Sequence, residues 1–161
     1  LKGLKEMAVF ISADTGSSMP SIDEMAKSKF MLKNPNGICI SPPGLGLLIQ
    51  FEKELGMDLT RMELDDLLET LPQLVTENIH LAKQVEIKKE DGKIRLRIFN
   101  SVYRDLYVKE GLKSIHLLGC PLVSAVACAI AKSSGKAVTI ERDGMSLDEQ
   151  LIEVWYNFAG D

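Results

Sequence analysis

The stretch Val85-Glu86-Ile87-Lys88-Lys89-Glu90-Asp91-Gly92-Lys93-Ile94-Arg95-Leu96-Arg97-Ile98-Phe99-Asn100 reads as two strands and the turn that joins them. Val85 and Ile87 alternate with charged residues, and Ile94, Leu96 and Ile98 alternate with Arg95 and Arg97. Successive side chains on a strand point to opposite faces, so one face of this hairpin is core and the other solvated. Asp91-Gly92 is the residue pair that a two-residue hairpin turn favours, because both of its positions take positive φ. Downstream, residues 137–142 and 151–158 read as a second antiparallel pair, with a turn region at 143–150 long enough for a bulge or a loop.

Between the two pairs, Gly119-Cys120-Pro121 opens a helix of small apolar residues that stops at Gly135. Pro121 fits the first helical position, where a missing N–H costs nothing, and this places Cys120 at the N-cap. Ser124, Ala125, Ala127, Cys128, Ala129 and Ala131 cover much of that helix and let another backbone approach closely. Trp155 and Tyr156 lie next to each other in the last strand, so one is core and the other faces outward.

The first half has another character. Residues 7–12 read as a short strand ended by the turn-rich Asp14-Thr15-Gly16-Ser17-Ser18. Ser21 followed by Glu24 is a capping-box spacing, starting a helix to about Lys29. Residues 33–36 read as a loop and 38–40 as a brief extended piece. Leu45, Leu47, Leu48, Phe51 and Leu55 form an apolar helical face after Pro42-Pro43-Gly44, with Gly56 as its left-handed cap. A second helix is expected over 63–71, and Pro72 is expected to begin a third, through about Ala82. The expectation is one α+β domain over 1–161, with a mainly helical half at 1–83 and a ββ-α-ββ half at 84–161. Its mostly antiparallel sheet has about four strands, as two hairpins flanking one helix.

The 161 residues, 45% hydrophobic and 26% charged, suffice for a buried core without staples. Three cysteines make no disulfide framework and point to a reducing, cytoplasmic setting. A net charge of −4 gives no general attraction to nucleic acid. No apolar run is expected to approach the roughly 20 residues of a membrane span, and no signal-peptide pattern is present. The chain opens on Leu1, so an anchor outside it is compatible with this reading.

Cys120, His116 and Ser124 are the candidate ligand-binding residues, because they gather around the open N-terminus of the small-residue helix. A helix N-terminus can activate a thiol, which makes a Cys120-dependent enzyme one alternative; a small buried cysteine is the plainer one. No Cys-x-x-Cys pair is present, and His116, Cys120, Cys39, Cys128 and His80 do not fall into paired zinc spacings, so no metal or cofactor is expected. Asp14-Thr15-Gly16-Ser17 matches the Asp-Thr-Gly-Ser signature of aspartic proteases, with Leu117-Leu118-Gly119 as a supporting element. A remote alternative is thus a dimeric protease using Asp14, although residues 45–82 read as helices where that family has strands. Lys88-Lys89, Arg95 and Arg97 interleave with Glu86, Glu90 and Asp91 as a solvated face.

From Leu67 onward the order of elements resembles the 4-vinyl reductase domain family and the related transport-particle (TRAPP) subunit fold. The matching features are the 85–100 hairpin, the Cys120-Pro121 helix start, Gly135, and the strands at 137–141 and 152–158. The resemblance implies an α/β ligand-binding, sensory or adaptor domain, commonly dimeric. The cysteine cluster that follows the helix in fuller members has no counterpart between Arg142 and Phe158, so its chemistry is not implied. The segment from Ser41-Pro42-Pro43-Gly44-Leu45 to Leu71-Pro72 also resembles uncharacterised archaeal proteins. The function expected is a non-catalytic regulatory or small-molecule-binding domain. Its pocket would lie between the helix at 45–55 and the Cys120 end of the later helix, holding a small apolar ligand with an acidic end. The alternative from another class is a protein-interaction or scaffold module acting as a homodimer.

Overall fold

Three short strands, β1 (Val9–Ser12), β2 (Met31–Lys33) and β3 (Asn36–Ile40), form an antiparallel sheet in the order β1-β3-β2. Phe10 lies opposite Cys39, and Leu32 opposite Gly37. The computed structural model describes residues 7–14, 19–27, 30–109, 113–146 and 150–159. Its backbone divides into two compact units, Leu1–Pro42 and Pro43–Asp161. The sequence reading anticipated β1 and most of β3 but not β2. Three residues are too few for alternation to register, and the turn it needs, Asn34-Pro35, falls in the stretch 33–36 whose composition is that of a loop. Helix α1 (Ile22–Lys27) starts on the capping box that its spacing predicts. The Ser21 N–H donates to Glu24 Oε2 at 2.8 Å, and the Glu24 N–H donates to Ser21 Oγ at 3.3 Å. The Ser21 hydroxyl, then its backbone N–H, lower the Glu24 pKa.

The second unit begins with α2 (Leu45–Leu55), which buries Leu48 and Phe51 and ends on Gly56 at φ 66°. A 3₁₀ turn at Leu59–Arg61 follows, capped by Asp58 Oδ1 accepting from the Thr60 N–H at 2.9 Å. Helix α3 (Leu64–Gln73) buries Leu67, Leu68 and Leu71. Pro72 does not begin a new helix, contrary to the expectation; it lies inside α3. The chain then widens into one π turn, Leu74–Asn78, closed by the Ile79 N–H donating to the Leu74 carbonyl at 3.1 Å. Leu71, Leu74 and Val75 are all at most 2% exposed. Burying these side chains, at roughly 1.5–3 kcal/mol each, outweighs the roughly 3 kcal/mol that an interior proline costs. Helical structure ends at Asn78, short of Ala82, and His80 stands at φ 57°.

Strands β4 (Gln84–Glu90) and β5 (Lys93–Phe99) form the expected hairpin, with Asp91 and Gly92 at φ 50° and 78°. The connection that follows holds two short helices, α4 (Asp105–Val108) and α5 (Lys113–Leu118), before α6 (Pro121–Ser134). Pro121 occupies the start of α6, Cys120 its N-cap, and Gly135 its left-handed cap at φ 70°. Strands β6 (Val138–Ser146) and β7 (Leu151–Phe158) complete an antiparallel sheet in the order β4-β5-β7-β6. The result is an α+β fold whose four-stranded sheet is built from two hairpins flanking one helix. Strand β6 runs four residues past Arg142, and its bulge falls between Ile140 and Arg142 rather than in the later turn.

Ile94, Leu96, Ile98, Ile152, Val154 and Tyr156 are each at most 1% exposed and share one face of this sheet. Helix α6 lies over them, held by the Tyr156 hydroxyl donating to the Val123 carbonyl at 2.8 Å. By length and composition alone, Lys113–Ser134 could cross a membrane, its most apolar 18-residue window having a mean hydropathy of 1.9, which corrects the expectation that no such run exists. The same stretch supplies the core, and 61% of its most apolar window is buried within the chain.

Candidate functional site

The start of α6 is built from tight packing. Cys120 is fully buried, with no side-chain capping bond. Its backbone N–H donates to the Tyr107 hydroxyl at 3.3 Å. The Tyr107 ring in turn meets His116 edge-on, with centroids 6.5 Å apart. Burial, and then the proximity of Cys120, raise the Tyr103 pKa. Ser124 is 3% exposed, and its Oγ accepts the Gly44 backbone N–H at 3.0 Å. A Cβ on Gly44 would stand 2.6 Å from Ala125 Cα and from the Pro121 carbonyl oxygen, and closer still to the Ala125 nitrogen. The backbone that precedes α2 thus lies directly on the first turn of α6. This is the place that the sequence reading kept for a ligand.

Of the three candidate residues, Cys120 and Ser124 are neighbours on that first turn, where the Ser124 N–H donates to the Cys120 carbonyl at 2.9 Å. His116 is exposed on α5 and reaches them through Tyr107. Tyr107 and Gly44 were not singled out from sequence as site residues. The small-residue stripe of α6 was the signal that a backbone would press against it. Cys128 is 5% exposed, and burial pushes its thiol up to about 11. Asp14 is exposed, its N–H donating to Ser12 Oγ at 3.2 Å, while the rest of the protease-like signature, residues 15–18, lies outside the described residues. Among the described residues, no three of His, Cys, Asp and Glu gather as metal ligands would.

The far end of α6 carries a charged cluster. Lys132 Nζ meets Glu52 Oε1 at 2.5 Å and Asp58 Oδ1 at 3.3 Å, and the Leu59 N–H also donates to Glu52 Oε1, at 2.8 Å. Burial alone would lower the Lys132 pKa, but hydrogen bonding and attraction from Glu52, then Asp58, outweigh it and raise the value. This cluster ties α2, the 3₁₀ turn and α6 together.

Chemical variety concentrates on the other face of the sheet. Register places Glu86 beside Arg97 and Arg97 beside Glu153, with Lys88 beside Arg95 and Arg95 beside Trp155. Arg97 Nη1 bonds Glu86 Oε2 at 3.2 Å; its Nε faces Glu153 Oε2 at 3.4 Å, an ion pair without hydrogen-bond geometry. Arg95 pairs with Glu90 at 3.1 Å and lies 5.5 Å over the Trp155 ring; Arg97 lies 5.2 Å over Phe99. Lys89 points to the helical side and pairs with Asp65, so Lys88 and Lys89 do not share a face. An open concavity of about 340 Å³ is lined by Glu90, Asp91, Lys93, Glu141 and Trp155. Lys93 closes on Glu141 with contacts of 2.6 and 2.8 Å, so its charges are largely paired across it.

Fold and site define an α+β protein with a closely packed helix start and a sheet face of paired charges. The chain belongs to the family described as Domain of unknown function (DUF7982), which it matches over residues 2–156. No curated protein and no solved structure matches it.

Proposed function

We propose that this chain is a non-catalytic protein-interaction module that works as a homodimer. One observation carries the reading: the four-stranded sheet ends on β4, a regular seven-residue strand without proline or bulge. Among the described residues, no backbone group of β4 bonds to anything on the side away from β5. Such an edge is a template for a further strand. The enclosed start of α6 supports the same reading, because a thiol with no exposed surface is a poor nucleophile or ligand contact.

Sedimentation equilibrium tests the reading. The chain is expected at twice its 17.8 kDa mass at concentrations of tens of micromolar and above, the order at which weak specific interfaces form. A single species at 17.8 kDa throughout that range contradicts it.

A further inference from the structure

We infer that the partner of the β4 edge is the β4 edge of a second copy, paired antiparallel about a dyad through Ile87; this rests on the homodimer reading above. A two-fold axis perpendicular to the sheet sets the strands antiparallel and continues the helical face of one sheet into that of the other. Only registers that keep each residue opposite one of its own face are then allowed, because a one-residue slip inverts every side chain.

In the register centred on Ile87, Glu86 lies opposite Lys88 of the second copy and Lys88 opposite its Glu86. Gln84 meets Glu90, and Val85 meets the stem of Lys89. Moving the centre to Glu86 sets two glutamates face to face. Moving it to Lys88 sets two lysines face to face and Glu86 against Glu90. Directly opposite like charges destabilise a strand pair and opposite charges stabilise it, so among the registers that engage most of the strand the charge order selects one. Charged residues on an edge ordinarily discourage pairing. Here their order is self-complementary.

Two features of the single chain fit this occupant. Lys88 stands beside Arg95 across the β4–β5 ladder, a like-charged neighbour, and among the described residues it makes no ion pair. Glu86 of the second copy supplies the missing anion. Ile87 lies on the core side of β4 yet is only half-buried, whereas Val85 on the same side is buried. On the dyad, Ile87 packs against its own copy.

The test is a charge exchange on the full chain, read as dimer dissociation constant by sedimentation. Glu86→Lys alone and Lys88→Glu alone each set like charges opposite and are expected to weaken the dimer at least about tenfold. An equimolar mixture of the two single variants restores opposite charges at every position and is expected to associate as heterodimer. The double variant Glu86→Lys/Lys88→Glu should dimerise like the wild type, and it keeps the test open if a single variant fails to fold by circular dichroism. A wild-type dimer indifferent to both single reversals, or one that neither the mixture nor the double variant restores, overturns this edge while leaving the homodimer reading standing. A monomeric wild type overturns both.

Discussion

Among the described glycines of the second unit, Gly44 is the one where an added Cβ would meet the closest neighbours. A methyl group there would meet backbone atoms of Pro121 and Ala125, which cannot rotate away. Gly44→Ala is therefore expected to destabilise the fold by about 3 kcal/mol, at the upper end of overpacking costs. Gly46, two residues on, has nothing within 4 Å of an added Cβ, and Gly46→Ala should stabilise α2 by roughly 0.5–1 kcal/mol. Chemical denaturation of the pair separates the close approach from any general intolerance of α2 to alanine. Burial also orders the three thiols. Cys120 and Cys128 are buried and Cys39 is half-exposed, so a mild alkylating reagent at neutral pH should modify Cys39 first in the folded chain. The other two should react only on unfolding. Rapid native labelling of Cys120, followed by mass spectrometry, would instead reopen the thiol-enzyme alternative.

At the scale of elements, most of what the sequence shows is periodicity and punctuation. The 85–100 hairpin, the Ser21–Glu24 box and the glycine stops of α2 and α6 are local signals, satisfied by atoms a few residues apart, and they are legible. Pro72 was misread because its local rule is overridden by tertiary burial of Leu71, Leu74 and Val75, which no window around the proline reveals. Pro72→Ala restores the donor to the Leu68 carbonyl and is expected to raise stability by about 1 kcal/mol or more, measured by urea unfolding. The strand Met31–Lys33 was missed because its partner, not its own composition, makes it a strand. The cluster at the end of α6 was equally hidden, since Glu52, Asp58 and Lys132 converge from separate elements. Lys132→Met leaves the Glu52 carboxylate without its cation and should cost about 1–2 kcal/mol, less than for a fully buried pair because water still reaches it.

At the scale of the whole molecule, that cluster shapes stability against pH. The Thr60 backbone N–H, then its hydroxyl, hold the Asp58 carboxyl below its ordinary 3.8. Its contribution is complete above 3.8 and is lost as pH falls through the lower folded value. The Lys132 ammonium is held above its ordinary 10.5, so its contribution is complete below 10.5 and is lost as pH rises through the higher folded value. The buried Cys128 thiol, held up at about 11 against an ordinary 9.0, contributes stability that is complete below 9.0 and lost as pH rises toward 11. Glu24, held below its ordinary 4.5, contributes fully only above 4.5. Thermal unfolding midpoints should therefore be flat between about 4.5 and 9, and Lys132→Met should shrink the alkaline limb while the Cys128 part of it remains. The candidate site was less legible than the fold. Cys120 and Ser124 stand on the first turn of α6 and His116 stands on α5 against Tyr107, and what fills that helix start comes from Gly44 and Tyr107, outside the motif that drew attention to it. The self-complementary order of Glu86, Ile87 and Lys88 stands in the sequence, yet it acquires meaning only once β4 is known to be an edge. Hydrogen exchange of the Gln84–Glu90 backbone amides, at low and at high chain concentration, tests that claim most directly. The expected result is markedly slower exchange in this strand at high concentration, with β5 unchanged. Equal exchange of β4 at both concentrations, across a range in which the chain is shown to associate, would contradict it.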